Sequence, residues 1–501
     1  MLFRSRDAER FIAAKYECAY VSNIQERILE DRCCWRDRNH PNELGNRAVA
    51  TTIEPHVATL LAESAQPVRR NPLWTTRDRW LEAVELAPDR LALVDGDRRL
   101  TFAEADARIR PLAKALWELA GGKRPTVAIF LPNCLEYFLL YWAIARVGGV
   151  VVPLNTGLKE DSLAGILASV QPDVLVVRNR FDTALKVCGA AVQAGAELQY
   201  TCKVLALDPE GIELPALSTL TDAGDDHPPE VDVYPGDLSI IMHTSGTTAV
   251  PKGCMVRHAD LRFNVAAAIN AHQFEPSDVH LLVNPMFHCT ALYSSLPTAA
   301  YQKAPVVITP DATAGVLLNL VAREKITTFL SVPTVFQRIT EFPDVERVDT
   351  SSLRVIAYAG SMMPVSTIRR LQALFPDVEL HNFFGLSETI SMTHVLKGED
   401  ALDRPDSIGK LLPFVHAVVV DENDRECAPG EVGELLFASE NVIPGYYNQP
   451  ARLPESLVDI DGRTWFRTGD LAEVDEEGYF YVRGRRKDMI IVGGENVFAA
   501  E

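Results

Sequence analysis

Short β-branched runs alternating with longer helical stretches predict an α/β protein, with a large domain of layered α/β sheets followed by a small β-rich subdomain. Three observations carry this. A strand–helix–strand pattern repeats from Arg124 onward, the helical period fades after about Ile408, and a run of hydroxyl and glycine residues follows directly on an apolar strand at residues 238–242.

The first unit reads TVAIFL at residues 126–131, a helical stretch through Ala145, then VVVPL at residues 150–154. This is the signature of two parallel strands joined by a crossover helix. The apolar centre of that helix, residues 137–145, is bounded by Glu136 and Arg146. It is far too short to cross a bilayer and reads as a buried helix. Further strands are expected in DVLVV (173–177), LSIIM (238–242), HLLV (280–283), VVIT (306–309), TTFLSV (327–332) and RVIAYAG (354–360). Ligand loops in such open sheets lie at the carboxyl ends of the strands. Beyond Ile408, HAVVVDEND, GELLFAS and GYFYVRGR read as short strands separated by glycine and acidic turns. The final MIIVGGENVFAAE carries an apolar run that needs a pairing partner.

A chain of 501 residues that is 47% hydrophobic can bury a large core and suggests more than one domain. The formal net charge of −19 argues against a general nucleic-acid or anionic-membrane surface, since a polyanion is repelled except at a local basic cluster. Lys252, Arg467, Arg485, Arg486 and Lys487 are candidates for such a cluster. The nine cysteines are scattered without metal-ligand spacing, which points to a reducing, cytoplasmic setting.

The run TSGTTAVPKG at residues 244–253 reads as a phosphate-gripping loop, placed after a strand and before a helix-like stretch from His258. Thr244, Ser245, Thr247 and Thr248 supply short hydroxyl donors, Gly246 and Gly253 let backbone N–H groups approach closely, and Lys252 adds a mobile charge. The Walker nucleotide loop is excluded at two positions. Pro251 has no N–H, and Gly253 has no hydroxyl for a metal ion.

With this loop, YAGSMMP at 358–364, NFFGLSE at 382–388, RTGD at 467–470 and GRRKDMIIVGGEN at 484–496, the chain resembles the AMP-forming acyl-adenylating superfamily, closest to acyl-CoA synthetases. The resemblance spans about residue 74 to the last residue, and five motifs in this order are very specific. It implies an N-terminal extension without assignment (1–71), an adenylation domain (72–485) whose β-rich subdomain covers 408–485, and a hinge with the start of a lid domain (486–501). The implied activity is attack of a carboxylate on ATP to give acyl-AMP and pyrophosphate, then thioester formation with coenzyme A, with Mg²⁺ as cofactor.

The resemblance also implies roles. Lys252 and the loop hydroxyls hold the β and γ phosphates, Glu388 holds Mg²⁺, and the Ser387 hydroxyl reaches the α phosphate. A glutamate at a helix N-terminus is the competing reading of Glu388. The nucleoside lies between Gly360, Ser361 and Met362 on one side and Asn382, Phe383, Phe384, Gly385 and Leu386 on the other, with Phe384 as the stacking ring. Asp470 accepts the ribose hydroxyls, assisted by Arg485, although an Asp in RTGD also suits a turn. His288 stands at the mouth of the acyl channel, where a purely structural histidine is the alternative.

Two departures from the family pattern stand out. Ala249 replaces a usual glycine of the loop. The sequence ends sixteen residues after Arg485, so the lid that pivots at Lys487, and the lysine it contributes, are expected to come from elsewhere for fast adenylation. A nucleotide- or acyl-binding protein with impaired catalysis is therefore the rival to the ligase.

Overall fold

A computed structural model describes residues 75–178, 202–207, 216–217, 227–244, 251–438, 442–486, 490–492 and 495–497. The chain divides after Leu73 into two units, and all of these residues belong to the second.

The strands β1 (Leu91–Asp95) and β2 (Arg98–Thr101) pair antiparallel. Next come β3 (Thr126–Phe130), β4 (Val150–Pro153), β5 (Val174–Val177), β6 (Lys203–Ala206), β7 (Leu238–Thr244) and β8 (Lys252–Arg257). They form a six-stranded sheet in the order β6-β5-β3-β4-β7-β8, parallel up to β7 and finished by antiparallel β8. β9 (His280–Leu282), β10 (Val306–Ile308), β11 (Thr328–Ser331), β12 (Val355–Tyr358), β13 (Glu379–Leu386), β14 (Ser391–Lys397) and β15 (Lys410–Leu411) follow. With the first two strands they build a nine-stranded sheet, β15-β14-β13-β12-β11-β9-β10-β1-β2. An antiparallel five-stranded sheet comprises β16 (Ala417–Val420), β17 (Gly433–Phe437), β18 (Leu457–Ile460), β19 (Arg463–Val474) and β20 (Phe480–Arg485). The C-terminal apolar run finds its partner locally, as β21 (Ile490–Val492) pairs with β22 (Glu495–Val497).

Burial on both faces explains why the strands read as unbroken apolar runs. In β3, Val127 and Ile129 join one core with the helix Leu135–Arg146, while Ala128 and Phe130 join another with the helix Glu160–Val170. The helix Leu135–Arg146 contacts β4 of one sheet and β1 of the other, so residues 137–145 are buried on every side. A helix between two sheets needs no polar face, which is why its sequence is apolar throughout. Trp80 stacks on its Trp142 with ring centroids 4.7 Å apart. No helix among the described residues is long and apolar enough to cross a membrane.

The small sheet is fastened to the large one at Gly409. Its φ of +90° suits glycine, and an added Cβ would lie 2.1 Å from the Val395 carbonyl oxygen. The backbone of Gly409 then bridges to Phe480 of β20.

Buried imidazoles make this fold sensitive to acid. Burial lowers the pKa of His258 and His280 to about 4 and that of His394 to about 3, against an ordinary 6.5. The unfolded chain therefore takes up protons that the folded chain refuses. Stability present above pH 6.5 is lost as the pH falls from 6.5 towards 4, by about 1.4 kcal/mol per pH unit for each such histidine. Calorimetric unfolding near pH 5.5 in buffers of different ionisation enthalpy is expected to show uptake of several protons; unfolding without uptake would contradict it.

Candidate active site

The hydroxyl-rich loop starts where β7 ends and finishes where β8 begins, with Thr244 and Lys252 opposite each other in the register. Ser245, Gly246, Thr247 and Thr248 lie outside the described residues, as does Ala249. The loop thus leads from strand to strand: β8 intervenes before the helix His258–His272. Gly253 has a packing reason to be glycine. It pairs with His243, its carbonyl accepts from Tyr447 N at 2.8 Å, and an added Cβ would lie 2.8 Å from Ile241 Cγ2 and 3.1 Å from His243 Nε2. Close approach of a phosphate is not needed to explain it. Gly253→Ala is expected to destabilise the protein by about 1–3 kcal/mol in denaturant titration, and an unchanged midpoint would count against this packing.

Glu388 sits in the four-residue turn 387–390 that joins β13 to β14, so the helix N-terminal reading is overturned: there is no helix at this place. The turn is held by Ile390 N donating to Ser387 O at 3.2 Å and Leu386 N donating to Thr389 Oγ1 at 2.9 Å. Ile390 is fully buried with φ of +56°, an unfavourable conformation for a β-branched residue that the packed core maintains. Tyr446 OH donates to Glu388 Oε1 at 3.2 Å, and the ring of Tyr446 lies 5.0 Å below Lys252 Nζ. Burial, with Glu388 adding to it, pushes the Tyr446 phenol well above its ordinary range, so it is a donor at neutral pH. Motif reading did not single out Tyr446, because one of two adjacent tyrosines in GYYNQP carries no mark of its role.

Asp470 lies within the long strand β19, not in a turn, directly opposite Arg485 of β20. Arg485 Nε meets Asp470 Oδ1 at 3.0 Å. Burial raises the Asp470 pKa; Arg485 opposes this, while Glu388 and Glu434 add to it.

Gly360, Ser361 and Met362 follow the carboxyl end of β12, and β13 runs parallel beside it with Asn382 paired to Tyr358. Gly360 has φ of +92°, and Met362 is 60% exposed. The other wall needs correction. Asn382 is buried and donates its amide to Ser407 O at 2.8 Å, and Phe383 is in the core, edge-on to His272. Neither side chain is available to a nucleoside. Phe384 is half-buried, as are Gly385, Leu386 and Ser387, and its ring meets His394 edge-on at 5.8 Å.

His288 is exposed on the turn after β9, just before a π-helical turn, Thr290–Ser295. Surrounding protein lowers its pKa by desolvation, which favours the neutral imidazole. Asn133 pins the start of this loop, donating to Asn284 O at 2.9 Å and accepting from Met286 N at 2.7 Å.

The expected basic cluster is smaller than the sequence suggests. Arg467 is bound to Glu434 at 2.6 Å and to Asp424, and Arg486 reaches Glu434 at 3.1 Å. Lys487 lies outside the described residues. Of the other two, Arg485 is paired with Asp470 and Lys252 lies over the Tyr446 ring. Mg²⁺ fits this donor set, because it takes one or two carboxylates and completes its shell with phosphate oxygens and water. Glu388 supplies one such carboxylate, with Tyr446 bonded to Oε1. No group of three or more His, Cys, Asp or Glu side chains suited to a metal gathers among the described residues.

The profile of a family described as AMP-binding enzyme matches residues 80–447. The chain belongs to the AMP-binding enzyme family. It is 31% identical to the indoleacetate–CoA ligase of Aromatoleum aromaticum over 431 residues, 85% of this chain and 81% of that ligase. It is 32% identical to a feruloyl-CoA synthase of Amycolatopsis sp over 418 residues, covering 83% and 79%. The fold of this AMP-binding enzyme superposes on the anthranilate CoA ligase AuaEII in complex with anthranoyl-AMP with a TM-score of 0.76 at 23% identity, covering 85% and 80% of the two chains. As an AMP-binding enzyme with such relatives it is an acid–thiol ligase that uses ATP, Mg²⁺ and coenzyme A, and an inactive binding protein is not favoured.

Proposed function

We propose that this chain activates a small carboxylic acid at the space bounded by Lys252, Glu388, Asp470 and Phe384, in the cytoplasm. The observation that carries the assignment is the linkage of Lys252 and Glu388 through one tyrosine, and the buried Asp470 paired with Arg485 across two neighbouring strands supports it. A nucleotide bound there has its ribose hydroxyls on Asp470, its base against Phe384 and the Gly360–Met362 backbone, and its terminal phosphates towards Lys252 and the hydroxyls of residues 244–248.

An ionised carboxylate is already a nucleophile at neutral pH. Its oxygen attacks the α phosphorus, an O–P bond forms, and the bond to the β-phosphate oxygen breaks to release pyrophosphate. Negative charge grows on phosphoryl oxygens in this step, so Lys252 and the Ser387 hydroxyl act by stabilising it. The metal, when held at Glu388, neutralises part of the same charge. In the second step the coenzyme A sulfur forms a bond to the acyl carbon, AMP leaves with the bond oxygen, and the thiol proton passes to solvent. His288, neutral and exposed, borders the acyl entrance.

ATP–pyrophosphate exchange measured over a panel of arylacetic, cinnamic, benzoic and long-chain acids tests the proposal. Exchange that requires one class of acid, and falls in Lys252→Ala, supports it. Nucleotide binding without exchange for any acid overturns it.

A further inference from the structure

We propose that Tyr446 is a positioning residue that sets Lys252 and Glu388 relative to each other, so that the phosphate-binding cation and the metal-binding carboxylate are organised by one side chain. The inference rests on the assignment of Glu388 to the metal.

The segment carrying Tyr446 is fastened to both elements. Ile443 N donates to Glu388 O at 2.8 Å, tying the segment to the 387–390 turn. At its other end Met255 N donates to Gly445 O at 3.1 Å and Tyr447 N donates to Gly253 O at 2.8 Å, tying it to β8 one residue after Lys252. Tyr446 itself bridges to Cys254 of that strand and is 3% exposed. Its ring and hydroxyl then act on different partners. The ring attracts the Lys252 ammonium through its π face, which occupies none of the three N–H donors a phosphate would use. The hydroxyl donates to Glu388 Oε1, which fixes the carboxylate rotamer. A flexible lysine and glutamate held this way lose less freedom when nucleotide and metal arrive.

Removing the hydroxyl alone separates this role from simple packing. Tyr446→Phe keeps the ring and the core. With ATP saturating, Mn²⁺ binding followed by water-proton relaxation is expected to weaken by about five- to tenfold, the net scale of one ordinary hydrogen bond, while the melting temperature and AMP binding stay near wild type. In the double variant Tyr446→Phe is expected to add nothing to Glu388→Gln alone, since fixing a side chain that no longer holds the cation does not change cation affinity. Tyr446→Leu, which also removes the ring, is expected to weaken ATP binding more than AMP binding, a difference readable even in a less stable variant. Wild-type Mn²⁺ affinity in Tyr446→Phe beside a weakened Glu388→Gln overturns the inference while leaving the site assignment standing. Wild-type affinity in Glu388→Gln overturns the assignment of Glu388 itself, and the role of Tyr446 with it.

Discussion

Asp470→Asn is expected to lose ATP and AMP affinity by roughly 10- to 100-fold, the scale of hydrogen bonds to a charged acceptor, while the folded state is as stable as wild type or more so. The two effects have one cause. Asp470 is 4% exposed, and burial, reinforced by Glu388 and Glu434, raises its pKa above the ordinary 3.8. An acid whose folded pKa is raised subtracts stability once it ionises. The cost is absent below the unfolded pKa and grows as the pH rises through the folded one. The neutral amide escapes this cost, and Arg485, with 53% of its side chain exposed, is left to water. The stability advantage of the variant should therefore vanish at low pH and be largest near neutrality. Calorimetric titration with AMP and melts at several pH values check both halves, and unchanged AMP affinity would sink the ribose assignment.

Glu388→Gln should reduce ATP–pyrophosphate exchange by about 10²-fold or more yet leave AMP binding nearly intact. The amide keeps the shape of the side chain and its bond to Tyr446 but removes the charge that holds a hard cation. AMP carries no pyrophosphate, so its binding does not draw on that metal. Raised Mg²⁺ should restore part of the exchange. If Glu388→Gln exchanges at the wild-type rate at every Mg²⁺ concentration, the metal assignment fails.

Much of the architecture was legible without coordinates because parallel strands buried on both faces leave continuous apolar runs, and residues 126–130, 150–153 and 355–358 show them plainly. The helix over 137–145 was readable for the same reason. β8 was not: KGCMVR mixes polar and apolar positions at the edge of a sheet, and its pairing with β7 is a long-range property. Asn382 and Phe383 share a motif with Phe384, so the sequence alone points them to the nucleoside. Alternation along the strand turns Phe383 to His272, and Asn382 is taken by the Ser407 carbonyl, a contact made across 25 residues. The arginines of RTGD and GRRKD looked equally free in one dimension, yet Glu434 and Asp424 occupy Arg467.

By itself the sequence determined the α/β class and the order of the adenylate-forming motifs, because hydrophobic period and loop chemistry are local properties of the chain. Only the tertiary structure decided which charges remain available to a nucleotide. Tyr446 reaches Glu388 across 58 residues, and Arg467 reaches Glu434 across 33. Pairings over such distances are fixed by how strands pack, and no local pattern encodes them.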